Sequence, residues 1–249
     1  MILSKIKLGL VIKSFVKVGF RFCFNRNKIR VGKDAIIKIH KNVSINNSNI
    51  NVSSNSTLII KEGCEINNVN LNVNGKVILG QNNVINNAGQ FSKLLFRIHG
   101  ELKTGDNNRI KSDIWIRFGG VLIIGDYNSI NEGSEIRVDE KIIIGCFNQI
   151  SYNVMIWDTN THNVYPIKER RRQTRKNFPS IGFEFEKPAT KPIFIGNDCW
   201  IAKDVAIFKG VSIADKCLIG YRTLLSNCNV SVSTIVLNEV KNKYLPNSI

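Results

Sequence analysis

A large apolar residue recurs at every sixth position between residues 193 and 225: Ile195, Ile201, Ile207, Ile213, Ile219 and Leu225. An α-helix repeats near 3.6, so these residues cannot share a helix face. Six is even, and strand side chains alternate with period two, so each returns to the same side of a strand. The residue that follows is Gly196, Ala202, Phe208, Ala214, Gly220 or Ser226, mostly small. A large inward residue followed by a small one suits a short strand that turns at once. Short parallel coils stacked this way form a solenoid in which each coil buries its apolar edge against its neighbours.

The same beat is audible upstream. TLIIKEGCEI at 57–66 and KVILGQNNVI at 76–85 are offset by 19 positions, and VLIIGDYNSI at 121–130 and KIIIGCFNQI at 141–150 by 20. One coil therefore takes about 18–20 residues, or three strand-plus-corner units. Asparagine crowds the expected corners, where it tolerates left-handed backbone and bonds nearby amides. Residues 91–116 drift from the beat and read as coils with a small insertion.

The segment IFIGNDCWIAKDVAIFKGVSIADKCLIG, starting at Ile193, resembles the C-terminal coils of the hexapeptide-repeat acyltransferases. The likeness is strong over 193–225, good over about 122–163 and loose before that. It implies an all-β fold, a left-handed parallel β-helix, assembled as a homotrimer and transferring acetyl from acetyl-CoA. Residues 27–249 would form that domain.

Two stretches break the beat. Residues 157–192 include HNVYPIKERRRQTRKNFPSIGFEFEKPATKP, a polar segment without a period. It reads as a long loop leaving the solenoid, and long loops in compact proteins are usually functional. Residues 1–26 are basic and apolar, with Lys5, Lys13, Lys17 and Arg21 at multiples of four. On an amphipathic helix these cations form one stripe. Such a helix fits a cap over the open end of the solenoid, or peripheral contact of residues 1–24 with an anionic membrane; both stay open. No apolar run there approaches a membrane span, and Lys13 and Lys17 interrupt any signal peptide.

Lys and Arg number 35 against 19 Asp and Glu, a formal net charge of +16. That excess favours anionic partners. Nucleic acid fits poorly, because the basic run at 168–176 lacks aromatic residues to stack on bases. None of the six cysteines forms a CxxC pair, so they read as reduced core or corner residues in a cytoplasmic protein, with a place at the inner face of the membrane left open.

The histidines are His40, His99 and His162. Neighbouring ones lie about three coils apart, roughly 14 Å at about 4.8 Å per coil. They cannot share a metal ion, and no metal site is expected. His40 and His99 read as surface or corner residues. The resemblance makes His162, at the start of the long loop, the catalytic base. An imidazole can take the proton of a sugar hydroxyl as it attacks a thioester. Asp158, four positions earlier, is placed to orient the ring or simply to form a turn; Glu184 and Glu186 are further candidates. The resemblance also implies that the backbone N–H of Trp200 meets the oxyanion. It implies that Ala202 and Gly220 admit the pantetheine arm and that Lys209 and Arg222 meet phosphates. Trp157 and Tyr165 flank the histidine and could stack on a sugar, and Arg171 could hold an acidic acceptor. The expectation is O-acetylation of a sugar of a bacterial surface polysaccharide, capsule or lipopolysaccharide, or its precursor. N-acetylation of an amino-sugar nucleotide and a non-catalytic binding solenoid are the alternatives. The family's GNPAK-like ending does not follow LPNSI, which implies an altered cover over the cofactor.

Overall fold

The computed structural model describes residues 15–18, 22–87, 93–180, 182 and 184–239. Among the described residues successive coils contribute one short strand to each of three parallel sheets, so this part of the chain is a three-sided β-solenoid. The first sheet runs through ten strands, from Phe15–Val18 to Asn229–Val230. The second also has ten, from Phe22–Asn25 to Ile235–Val236, and the third has nine, from Lys28–Val31 to Leu224–Leu225.

The register follows the sequence phrases. Val77 pairs with Leu58, and Lys141 with Val121, the expected steps of 19 and 20. The drifting stretch is one longer coil, since Lys76 pairs with Glu101, 25 positions on. The long excursion falls between Ile142 and its partner Ile193. Each of the six-step residues points inward, from fully buried Ile201, Ile207 and Ile219 to 7% exposed Leu225. A column such as Ile156–Ile207–Leu225 is therefore apolar along its whole length. Corners recur on the same beat, with Asp198, Asp204, Gly210, Lys216 and Arg222 all at positive φ.

Inside the prism a polar column keeps the coils in register. Asn83, Asn108, Asn128 and Asn148 are buried, and each side-chain oxygen accepts the amide of the next coil, ending at Cys199. Their side-chain amides donate to Gly105, Gly125, Gly145 and Gly196 carbonyls. Cys64, Cys199 and Cys217 cap the column, their thiols donating to the carbonyls of Gly80, Ala214 and Ser231. Burial pushes the Cys64 thiol up to about 11, so it stays protonated and inert. These cysteines are free, as small core residues should be.

Two expectations need correction. Residues Phe15–Val18 and Phe22–Asn25 are strands paired with Ile36–Ile39 and Val43–Asn46, not part of a helix. A spacing of four is even, so the stripe of cations serves a strand as well as a helix. Residues 1–14 and 19–21 of that expectation lie outside the described residues, as does LPNSI. The long loop contains a helix, α1, Ile167–Asn177. It has no buried residue and is polar all round, so it leaves no apolar period to read. Among the described residues no helix is long and apolar enough to cross a membrane.

Candidate functional site

The site begins where the chain leaves the third sheet. After Met155–Trp157 the chain turns out of the prism, and it returns as Ile193–Ile195 in the first sheet. Residues 158–162, DTNTH, are fixed at this corner one by one. Asp158 is fully buried, and its carboxylate accepts the amides of Asp139, Glu140 and Lys141 at 2.8, 2.9 and 2.7 Å. Burial pushes its carboxyl up to about 6, against the three amides that favour the ionised form. The Thr159 hydroxyl donates to buried Asp139 at 2.7 Å. Asn160 accepts a hydrogen bond from the Lys209 ammonium. Thr159 also forms an isolated antiparallel bridge with Thr190, just before the returning strand, so the two ends of the excursion are bridged.

His162 emerges from this turn with its side chain 56% exposed. Its Nδ1 lies 3.0 Å from Glu184 Oε1. Glu184 is only 10% exposed, and its other oxygen accepts from the Asn163 amide at 3.1 Å. Asn163 also donates to the Glu186 carbonyl, and Tyr165 OH donates to Glu186 Oε2 at 3.5 Å. A carboxylate held this firmly accepts the Nδ1 proton and leaves the Nε2 lone pair as the basic position. The arrangement can remove a proton from a hydroxyl brought to the exposed edge of the ring.

Asp158 is therefore not the residue that orients the ring; Glu184 is. Asp158 is nearer in sequence, but its oxygens are spent on the turn one coil back. The amide of Trp200 donates to Cys217 O at 2.9 Å within the ladder, so it cannot meet an oxyanion. The amides of Ala202 and Gly220 are likewise bonded, to Ile219 and Val236 carbonyls. Gly220 is small because the next coil is close: a Cβ there would stand 2.8 Å from Leu237 Cδ2. Trp157 is not free for a sugar either. The Arg137 guanidinium sits 4.6 Å over its ring, and Phe208 packs at 5.9 Å. Arg222 projects at a corner, stacked over Tyr221 and 3.8 Å from Asp204. Arg171 lies on the exposed helix α1. There Glu169 is forked by Arg172, which holds its carboxyl down to about 2. His40 and His99 sit at corners.

The sequence-derived residues thus fall into two groups. His162, Asp158, Tyr165 and Lys209 gather at the corner between the third and first sheets. Trp200 stands on the second sheet, with Ala202, Gly220 and Arg222 at its end. In a three-sided prism that sheet is the wall opposite this corner.

No family model and no curated protein matches the chain. Among solved structures the chain is similar to the polySia-specific acetyltransferase NeuO, at 19% identity over 92% of this chain and 91% of that one, with a TM-score of 0.41. It is also similar to the polysialic acid O-acetyltransferase OatWY, at 15% identity over 92% and 95% of the two chains, with a TM-score of 0.40.

On the second sheet the exposed rings of Tyr127, Phe147 and Trp200 border a cleft of about 530 Å³, shared with Arg109, Ser129 and Gln149. Tyr127 and Phe147 are stacked at 4.9 Å. Sequence reading missed both rings. They stand 20 positions apart at the left-handed corners of successive coils, a spacing that marks the pair once the coil length is known. It also missed Arg117, Asp139 and Thr159, which are ordinary polar residues until the register stacks them.

Proposed function

We propose that the chain is an O-acetyltransferase that moves an acetyl group from acetyl-CoA to a sugar hydroxyl, with His162 as general base and Glu184 orienting it. The observation that carries this reading is the His162–Glu184 pair: an exposed imidazole whose Nδ1 is held at 3.0 Å by a largely buried carboxylate. In the reaction the hydroxyl oxygen attacks the thioester carbonyl as Nε2 takes its proton. The carbon–sulfur bond then breaks, and the proton passes to the departing thiolate. No covalent enzyme intermediate is needed, because the thioester is already activated.

Acetyl-CoA is anionic and long, and the residues here fit it only in part. Lys209 and Arg222 supply cations, whereas the amides of Ala202 and Gly220 are engaged in the ladder. His162 and the Trp200 cleft lie on opposite sides of one prism. A ring of identical chains, a homotrimer, would bring the corner of one against the second sheet of the next. The acceptor is best read as an acidic sugar or polysaccharide, since the net charge is +16 and α1 projects Arg170, Arg171, Arg175 and Lys176 beside the histidine segment.

Thiol release from acetyl-CoA, screened against neutral sugars, amino sugars and acidic oligosaccharides, tests this reading. His162→Ala is expected to lower kcat about 10²–10⁴-fold. Unchanged turnover in that variant would remove the proposal. Release that requires an amine would move the reaction to N-acetylation.

A further inference from the structure

We infer that Arg117, Asp139 and Thr159 are positioning residues that hold a strained turn at Thr161 and so fix where the His162 imidazole stands. The inference rests on the reading of His162 as the base.

Thr161 has φ +63°, and the amide of His162 donates to the Asn160 carbonyl at 2.7 Å, two residues back. Positive φ with that bond marks a γ-turn of the rarer, strained kind. The central residue is β-branched, which the left-handed region tolerates least. Strain of this sort persists only where the surroundings over-determine it.

Here both backbone groups of Thr161 are claimed. Its N–H donates to Thr159 Oγ1 at 3.0 Å, and its carbonyl accepts from Arg117 Nη2 at 3.3 Å. The Thr159 hydroxyl in turn donates to Asp139 Oδ2 at 2.7 Å. The buried Asp139 carboxylate is gripped by Arg117 through Nε at 2.9 Å and Nη2 at 2.6 Å. The amide of Asp139 is held by Asp158 at 2.8 Å.

Three successive coils therefore contribute one member each: Arg117, then Asp139, then the Thr159–Thr161 turn. Arg117 is anchored by its amide's bond to the Val138 carbonyl and Asp139 directly follows the strand Glu135–Val138, so the clamp transmits the rigidity of the solenoid to the first residues outside it. Released from the clamp, the turn relaxes to ordinary loop backbone and the ring swings away from its place. A displacement of about 1 Å in a catalytic group lowers turnover on the order of 10²-fold.

The test needs no known acceptor. Thr159→Val removes the hydroxyl that both accepts from Thr161 and donates to Asp139, and Thr159→Ser restores it. The ring ¹H–¹³Cε1 signal of His162, assigned by its loss in His162→Gln, is recorded for each. The signal is expected to move or broaden in the Val variant, return in the Ser variant, and leave those of His40 and His99 in place. In parallel, hydrolysis of acetyl-CoA with water as acceptor should show kcat lower by roughly 10–100-fold in the Val variant, with KM within about twofold. The Ser variant should recover that rate. Arg117→Lys, at a partly exposed side chain, serves as a second variant should Thr159→Val not fold. A His162 signal identical in all variants overturns the inference. If the signal moves but His162→Gln hydrolyses acetyl-CoA at the normal rate, the general-base reading falls while the clamp stands as structure alone.

Discussion

The walls of the prism and the segment that leaves them at Asp158 are held together differently. In the walls most strand amides bond to a carbonyl one coil away and inward side chains sit on one another, as Ile150 does on Ile201 and Ile201 on Ile219. Position there is over-determined many times. In the excursion α1 buries nothing, and the histidine turn is placed by a handful of polar bonds to Asp139, Arg117, Lys209 and Glu184. A change in the wall should therefore show as lost stability. A change in the excursion should show as lost placement with stability nearly intact. That division suits the proposed acetyltransferase, in which the rigid part would be the mount and the irregular part would carry the base.

The largest stability effect belongs to the wall. Ile207 is fully buried between Ile156 and Leu225 in the third sheet. Ile207→Ala should reduce the free energy of unfolding by about 2–5 kcal/mol in urea titrations, because the stacked coils above and below cannot close the gap. A loss below about 1 kcal/mol would mean that the walls are softer than their register implies, and the contrast with the excursion would fade.

Asp158 stands on the boundary and should show an intermediate effect that depends on pH. Its folded-state value, about 6, lies above the ordinary aspartate range because the group is buried. Between that ordinary range and about pH 6 the folded chain keeps a proton that the unfolded chain has released. Stability from this group is thus fully present below the unfolded value, falls as pH rises through the folded one, and is flat above it. From pH 4 to pH 7 the chain should lose about 2 kcal/mol relative to Asp158→Asn, which cannot titrate. Parallel stability curves for the two proteins would show that the three amides of residues 139–141 dominate over burial.

How much of this was readable in advance follows the same boundary. The coil length, the inward residues and the place of the long excursion were legible, because stacking forces an apolar residue to recur at the same step. The place of His162 at the start of the excursion was legible as well; its role as base came from the resemblance and remains the proposal. Its partner was named only behind Asp158, which is close in sequence but faces residues 139–141, while Glu184 is 22 positions away and reaches the ring only when the segment folds back. Contacts such as Thr159 to Asp139 connect residues 20 apart, and only the register reveals that such residues are neighbours. The strand at Phe15–Val18 was hidden by an ambiguity of period: cations every fourth residue line one face of a strand and one stripe of a helix alike. Helix α1 was hidden because a helix that buries nothing has no apolar rhythm to betray it.

The smallest effect on stability is expected on α1 itself, and it sharpens the contrast from the other side. Arg171 and Arg175 are exposed and the helix has no buried residue, so replacing both with Ala removes no packing. The urea midpoint should stay where it is, since exposed substitutions away from caps and cores are close to neutral. If α1 receives an acidic acceptor, the same double variant should raise KM for an acidic oligosaccharide several-fold at low salt. It should leave KM for acetyl-CoA unchanged, and the difference should shrink as ionic strength rises, because exposed charges are screened within about 10 Å at 0.1 M salt. A shifted midpoint with unchanged KM would assign the helix a packing role against another surface, and the excursion would then belong, at that point, with the walls.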